Sequence, residues 1–354
     1  MKKYFFIPLL LFTVLLAGCI NKKIIDDVNI TTGIGIDKEG EQYLGSAMIP
    51  VYNPDKSIEN FIFTAKGTVV RDLMFQMQQT SSQPIVGGSL DVTLFDETVA
   101  REGIPHVLDV FLRDPSVGAR VHLAVVDGKA KDIFEGKYGD RGNGRYLAEL
   151  IESNYKTGNL PLTNLHQFLH DYYQKGKDPV LPYLRQTRPD LVNIAGLALF
   201  KGEKVVDVLD ENKLFYFKLM VDYYSEGALK IKDEHGESFI KSIHSTYNFK
   251  VKNRNPYKFS VSLEVDGMLT EHTGKSLEKG EIKRIEKQME KQIKKECLAL
   301  LERFQENKID PVGIGHFIKT QTRNFDIKKW EESYQNASFD VDAKVKIVEV
   351  GVIE

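Results

Sequence analysis

The sequence predicts an α+β, multi-domain protein built from mixed β-sheets with packed helices, and three observations predict it. The composition is that of a folded globular chain: 42% hydrophobic and 28% charged residues, with 27 Gly, 12 Pro and 2 Cys, which excludes collagenous, low-complexity and disulfide-rich classes. Period-two and helical patterns interleave along the chain without the strict alternation of a doubly wound fold. The length of 354 residues suits two domains, with room for a third. The 48 basic and 50 acidic side chains leave a formal charge of −2, so the chain lacks the positive field that would gather it on nucleic acid.

The N-terminus comes first. Lys2 and Lys3 precede an uncharged stretch from Tyr4 to Leu16. That run is shorter than the roughly 20 apolar residues a bilayer crossing needs, and it reads as a signal peptide over residues 1–18. The tetrapeptide Leu16-Ala17-Gly18-Cys19 resembles the bacterial lipobox, in which the Cys thiol receives a diacylglyceryl group and becomes the first mature residue. Cys19 is therefore the expected lipidation site, with residues 19–30 as lipidated Cys and spacer. Each buried methylene is worth about 0.8 kcal/mol, so two acyl chains tether the body to a lipid bilayer far more firmly than one. Cleavage removes two lysines and no acid, so anionic lipid is not what attracts the mature chain. Cys297 is then the one remaining thiol, no intramolecular disulfide is possible, and its helical, apolar setting predicts a small buried hydrophobe.

Residues 31–190 are expected to form an N-terminal α/β domain that can divide into two subdomains. Gly33-Ile34-Gly35-Ile36-Asp37 and Tyr43 to Tyr52 read as paired edge strands opening a mixed sheet. Gly33 and Gly35 lack the third glycine and the following helix of a phosphate loop. A helix from about Thr68 turns Val69, Leu73, Phe75 or Met77 toward a core. Ser89 to Phe95 is a strand, Glu97 to Leu112 two short helices broken by Gly103 and Pro105, and Ala119 to Val126 another strand. The segments Asp127 to Arg145, Lys156 to Pro161 and Gly176 to Pro189 resemble connections around a helical stretch. His166 and His170 share a helix face, but Gln167 stands where a zinc protease needs Glu, so they read as ordinary polar positions.

A boundary near Pro189 opens a C-terminal α+β domain, 191–354. Ile194 to Phe200 and Val205 to Leu209 flank a hairpin turn at Lys201-Gly202-Glu203-Lys204. Phe259, Val261, Leu263 and Val265 alternate as a strand does with one face on a core. The long amphipathic helix 277–305 follows, carrying Ile282, Ile285, Met289, Ile293, Leu300 and Phe304 on one stripe. Lys279, Lys283, Lys287, Lys291 and Lys295 form a basic row that interleaved Glu278, Glu281, Glu286 and Glu290 turn into a solvated mixed-charge face. Asp310-Pro311-Val312-Gly313-Ile314-Gly315 breaks the helix, and Trp330 lies in a short helical stretch. Phe339 to Ile347 alternates, and the phase flips at Ile347-Val348, which predicts a bulge or bend.

No residue is nominated as catalytic, cofactor-binding or metal-ligating: the chain has no Gly-x-Ser-x-Gly elbow, Walker loop, Cys-x-x-Cys or His-Glu-x-x-His. No enzyme is expected. The lipobox at Cys19, Gly33 to Asp37, Leu94 to Arg101 with Phe111-Leu112-Arg113-Asp114-Pro115, Ile194 to Lys201, and Asp310 to Gly315 with Trp330 together resemble the Ger(x)C family of spore-germination lipoproteins. Many members carry Cys-Trp-Asp at the processing site, whereas this chain has Cys19-Ile20-Asn21, so any role of that Trp does not transfer. The resemblance implies the noncatalytic C subunit of a GerA-type nutrient germinant receptor in an endospore-forming, Bacillus-like bacterium. It implies anchoring on the outer face of the spore inner membrane, two integral-membrane subunits as partners, and a multi-domain α+β fold. A solute-binding lipoprotein and, behind it, a tethered cortex or envelope hydrolase are the alternatives. The Arg113-Asp114-Pro115 corner reads as a structural turn in preference to a partner contact, because Asp-Pro ends helices on local grounds.

Overall fold

The computed structural model describes residues 27–104, 108, 117–118, 120–223, 226–233, 236–273 and 279–350. The expected signal peptide, the expected lipidation site Cys19 and the Phe111 to Pro115 segment lie outside the described residues.

The short strand β1 (Asn29–Ile30) leads into a meander of β2 (Gly33–Glu39), β3 (Gln42–Tyr52) and β4 (Ile58–Gly67), against which α1 (Val70–Thr80) folds back. β5 (Ile85–Val86) pairs in parallel with β1. Then β6 (Val92–Asp96) feeds α2 (Glu97–Glu102), and β7 (His122–Asp127) feeds α3 (Ala130–Glu135), α4 (Asn143–Thr157) and α5 (Leu165–Tyr173). β8 (Val180–Arg188), β9 (Leu191–Lys201) and β10 (Lys204–Asp210) complete an eight-stranded sheet of order β10-β9-β8-β7-β6-β2-β3-β4. Its centre, β2-β6-β7-β8, is parallel, with antiparallel strands on both flanks.

After α6 (Leu214–Val221) the chain builds a second sheet from β11 (Gly227–Asp233), β12 (Gly236–Arg254) and β13 (Tyr257–His272). The helix α7 (Lys279–Glu306) crosses it, α8 (Ile314–Thr320) and α9 (Ile327–Tyr334) follow, and β14 (Ser338–Val350) returns parallel to β13 as an edge strand. The α+β class with mixed sheets is thus observed, and the two sheets share one core. Leu147 and Ile151 of α4, Phe215 and Phe217 of α6, Ile293 and Phe304 of α7, and Phe259 and Val261 of β13 are buried in a single cluster. A second cluster fills the other face of the large sheet with Leu73 and Met77 of α1, Phe95, Val99 and Phe168.

The large sheet runs through the expected boundary at 190: β9 and β10 continue it by pairing with β8. Several other expectations are corrected. The strands at Gly33 and Tyr43 are not edge strands: β4 covers β3 on one side and β6 pairs with β2 on the other. On α1, Leu73 and Met77 are buried while Val69 and Phe75 stay exposed, since only one helical stripe meets the sheet. The glycine-rich stretch after Asp127 contains α3 and the start of α4. The strand expected from Ser89 begins at Val92, and that expected from Ala119 begins at His122.

Other readings hold. Gly202, with φ 59°, forms the tight turn between β9 and β10. The expected bulge in the last strand is real: Ile347 partners Gly267 and Glu349 partners Met268, which leaves Val348 unpaired. Cys297 is fully buried, its thiol donates to the Tyr216 carbonyl at 3.6 Å, and burial pushes its ionisation far up.

Candidate functional site

Two polar clusters organise the molecule, and segments singled out in the sequence meet in each. The first lies at the C-terminal ends of β2 and β6. The Asp37 carboxylate accepts from the backbone N–H of Ala130 at 2.7 Å and of Lys131 at 3.0 Å, so a strand residue caps the first turn of α3. Gly33 and Gly35 explain why that helix fits. A Cβ on Gly33 would stand 2.7 Å from Met48 and 3.0 Å from the Phe134 ring, and one on Gly35 would stand 3.0 Å from both Ala130 and Phe134. Helix-on-strand contact, not phosphate, is what these glycines serve. Beside them Asp96 caps α2 through Val99 N–H at 2.7 Å and accepts from Lys38 N–H at 2.8 Å. The Lys129 ammonium reaches Asp96 and the Lys38 carbonyl, both at 2.6 Å. Burial raises Asp37 from 3.8 to about 6, against its two backbone donors.

The second cluster joins the two sheets. Asp178, just before β8, and Asp310, just after α7, clasp each other reciprocally: Asp178 N–H donates to the Asp310 carbonyl at 3.0 Å, and Asp310 N–H to the Asp178 carboxylate at 2.8 Å. The Asp310 side chain then caps α8, accepting from Gly313, Ile314 and Gly315 N–H at 2.8, 3.0 and 2.6 Å. Gly313 adopts φ 85°, a conformation that favours glycine. Gly176 and Gly315 meet face to face, with His316 N–H donating to the Gly176 carbonyl at 2.7 Å. A Cβ on Gly315 would fall 2.3 Å from Trp330 Nε1 and 2.8 Å from Gly176 Cα. Burial raises Asp310 to about 6, and the nearby Asp178 carboxylate adds to the rise.

A cavity of about 380 Å³ opens on this junction, lined by Tyr172, Lys201, Trp330, Glu331 and Tyr334 among others. Lys201, at the end of β9, lies 3.4 Å from Asp178 and 3.3 Å from Glu331. Among the described residues the buried Tyr334 hydroxyl has no hydrogen-bond partner, and burial beside Asp310 and Asp178 pushes its ionisation well up. The oxygens of Asp178 and Asp310 are committed to backbone N–H groups and to Lys201, so the chemistry this arrangement supports is clamping and recognition. A further tie crosses the sheets: Arg303 of α7 grips Asp207 of β10 with two bonds of 2.7 Å and the Val208 carbonyl at 2.9 Å. The register shift between Val205 and Asp207 aims that carboxylate.

His166 and His170 lie on α5 and are both exposed, with His170 Nδ1 3.0 Å from Asp171. Among the described residues no group of three or more His, Cys, Asp or Glu is placed to hold a metal ion. Of the segments noted in the sequence, the structure unites Asp37 with Asp96, and Lys201 with Asp310, Gly315 and Trp330. Sequence reasoning missed Asp178, Lys129 and Tyr334, none of which sits in a local motif.

The α+β fold, an eight-stranded and a four-stranded sheet joined through a shared core, has a solved counterpart. The crystal structure of the GerBC protein superposes with a TM-score of 0.61, covering 90% of this chain and 97% of that one at 20% identity. The family model described as the spore germination protein N-terminal domain matches residues 21–186, and that described as spore germination B3/GerAC-like, C-terminal, matches residues 195–351. The chain belongs to this GerAC-like, or Ger(x)C, family of spore-germination proteins. Spore germination protein GerQC of Bacillus cereus is 31% identical over the full length of both chains. Spore germination protein B3 of Bacillus subtilis is 22% identical, over 96% of this chain and 95% of its own. The two matches divide within the β8–β9 antiparallel pair, so the family division is not a break in the sheet.

Proposed function

We propose that the chain is the lipid-anchored, noncatalytic C subunit of a nutrient germinant receptor, acting in a complex with two integral-membrane subunits. Diacylated Cys19 holds the mature body on the outer face of the spore inner membrane. The observation that carries this reading is the succession of the two family matches, residues 21–186 and 195–351, directly after Cys19. Among the described residues no helix is long and apolar enough to cross a membrane, and in this reading the acyl chains supply the attachment. Affinity capture from dormant-spore inner membranes tests it. Two polytopic proteins should co-purify with the wild type, and Cys19→Ala should leave the membrane fraction. Full membrane recovery of that variant would refute the tether. Unchanged germination after deletion of the gene, in a strain without other receptors, would refute the receptor role.

A second reading, a solute-binding lipoprotein, draws support from the junction cavity, whose aromatic walls and opposed charges suit a small polar ligand. Calorimetry with amino acids and sugars decides it: saturable heat that Trp330→Ala abolishes supports the reading, and absence of heat removes it.

A further inference from the structure

We propose that the groove between the C-terminal half of α7 and the first residues of β14 is a docking site for an acidic, extended peptide segment of a partner protein, which adds a strand to the β14 edge. Part of the edge is guarded by one row of α7 side chains. Glu286 accepts from Ile347 N–H at 2.8 Å, and Glu290 from Val345 N–H at 3.1 Å. One turn on, Lys294 pairs with Asp342 at 2.5 Å. The next member of the row is Leu298, which can accept no hydrogen bond. By the two-residue alternation of a strand, the N–H and C=O groups of Phe339 and Val341 lie on the same edge as those of Val345 and Ile347. The guard therefore stops where Phe339 and Val341 begin.

A hollow of about 670 Å³ marks this place, lined by Lys287, Lys291, Lys294, Lys295, Leu298 and Val341 among others. Among the described residues the acids lining it are Glu290, committed to Val345, and Asp340. The structure also resolves the charge of the helix face. Of the glutamates that make the row mixed in sequence, Glu281 is drawn to Arg284 and Glu286 and Glu290 to the β14 edge, while Glu278 lies outside the described residues; Glu296, further along, pairs with Lys213 at 2.6 Å. Lys283, Lys287, Lys291 and Lys295 are left exposed on one side. A basic wall, half-buried Phe339 and Val341, and N–H and C=O groups on the side of β14 turned away from β13 match an extended chain alternating acidic and apolar residues. The main chain supplies the pairing and the lysines supply the sign.

The test uses the full-length mature chain in detergent and a fluorescein-labelled ten-residue peptide alternating Glu and Val, followed by anisotropy. A control peptide carries Pro at every third position and the same charge. The alternating peptide should bind at least tenfold tighter than the control. The double variant Lys287→Glu, Lys291→Glu should weaken it at least tenfold, and so should Val341→Pro, which removes one edge donor. Hydrogen exchange on the wild type, which needs no variant to fold, should show slowed exchange at Phe339 and Val341 on binding. Equal binding of both peptides would overturn the proposal. So would unchanged exchange at those two amides, including the case in which vesicles containing phosphatidylglycerol occupy the lysines instead.

Discussion

Asp37 and Asp310 solve the same problem in two regions of the molecule. Each is a buried carboxylate that accepts the backbone N–H groups opening a helix, and in each burial raises the acid to about 6. The difference lies in what surrounds them. Asp37 works within the large sheet, where the Asp96 carboxylate pushes its ionisation further up and the Lys129 ammonium, bonded to Asp96, partly offsets it. Asp310 works between the sheets, buried, with the Asp178 carboxylate raising it in the same way. The junction holds the greater liability, because three backbone donors depend on Asp310 against two on Asp37.

The largest effect is expected at that side chain. Asp310→Ala strips Ile314 and Gly315 of their buried acceptor, and should cost about 3–5 kcal/mol in denaturant unfolding. Asp37→Ala should cost about 2 kcal/mol, because the Lys131 donor is only partly buried and water can replace the acceptor. Equal losses at the two sites would erase the contrast.

The pH dependence follows with a definite sign. Both acids sit near 6 in the folded chain against 3.8 ordinarily, so between those values the native state holds more protons than the unfolded one. Their contribution to stability is greatest below about pH 4, declines as pH rises to about 6, and is flat above. Asn cannot titrate. Relative to wild type, Asp310→Asn and Asp37→Asn should each gain up to about 3 kcal/mol between pH 4 and pH 7. Parallel curves for wild type and variants would show that neither acid is perturbed.

How much of this was legible in the sequence depended on distance along the chain. Asp310 announces its cap locally, since its three donors lie three to five residues ahead, in a stretch rich in turn residues. The long helix, the β9–β10 hairpin and the bulge at Val348 were readable for the same reason: each is a pattern of neighbours. Asp37 caps a helix 93 residues away, and Lys129, at the start of α3, makes no side-chain cap of its own. A six-residue helix without a local cap, set among glycines, offers no periodicity to find. The strand order was hidden too, because β6 reaches β2 only after an intervening helix and a two-strand pairing at β1 and β5. Of the junction, the sequence offered the Asp310 loop and Trp330 but not Asp178, whose partner is 132 residues on.

Glycine packing gives the next contrast. Gly315→Ala drives a methyl group into Trp330 and the Gly176 backbone, which cannot yield without separating the sheets, and should cost about 2–3 kcal/mol. Gly35→Ala meets only the Ala130 methyl and the Phe134 ring, which can shift by a few tenths of an ångström, and should cost about 1 kcal/mol. A larger loss at Gly35 would mean that α3 is clamped more rigidly than the junction.

The smallest effect separates charge from geometry in the link between the sheets. Arg303 holds Asp207 through two parallel bonds and also reaches the Val208 carbonyl, so a single ammonium cannot reproduce the grip. Arg303→Lys keeps the positive charge, the ion pair is one-third exposed on the arginine side, and solvent screens what remains of the attraction. The expected loss is about 1 kcal/mol, nearly independent of added salt, because the missing part is the fork and not the charge. If the variant instead loses little at any salt concentration, the pair is held by its net charges alone and the fork adds nothing to the link between the sheets.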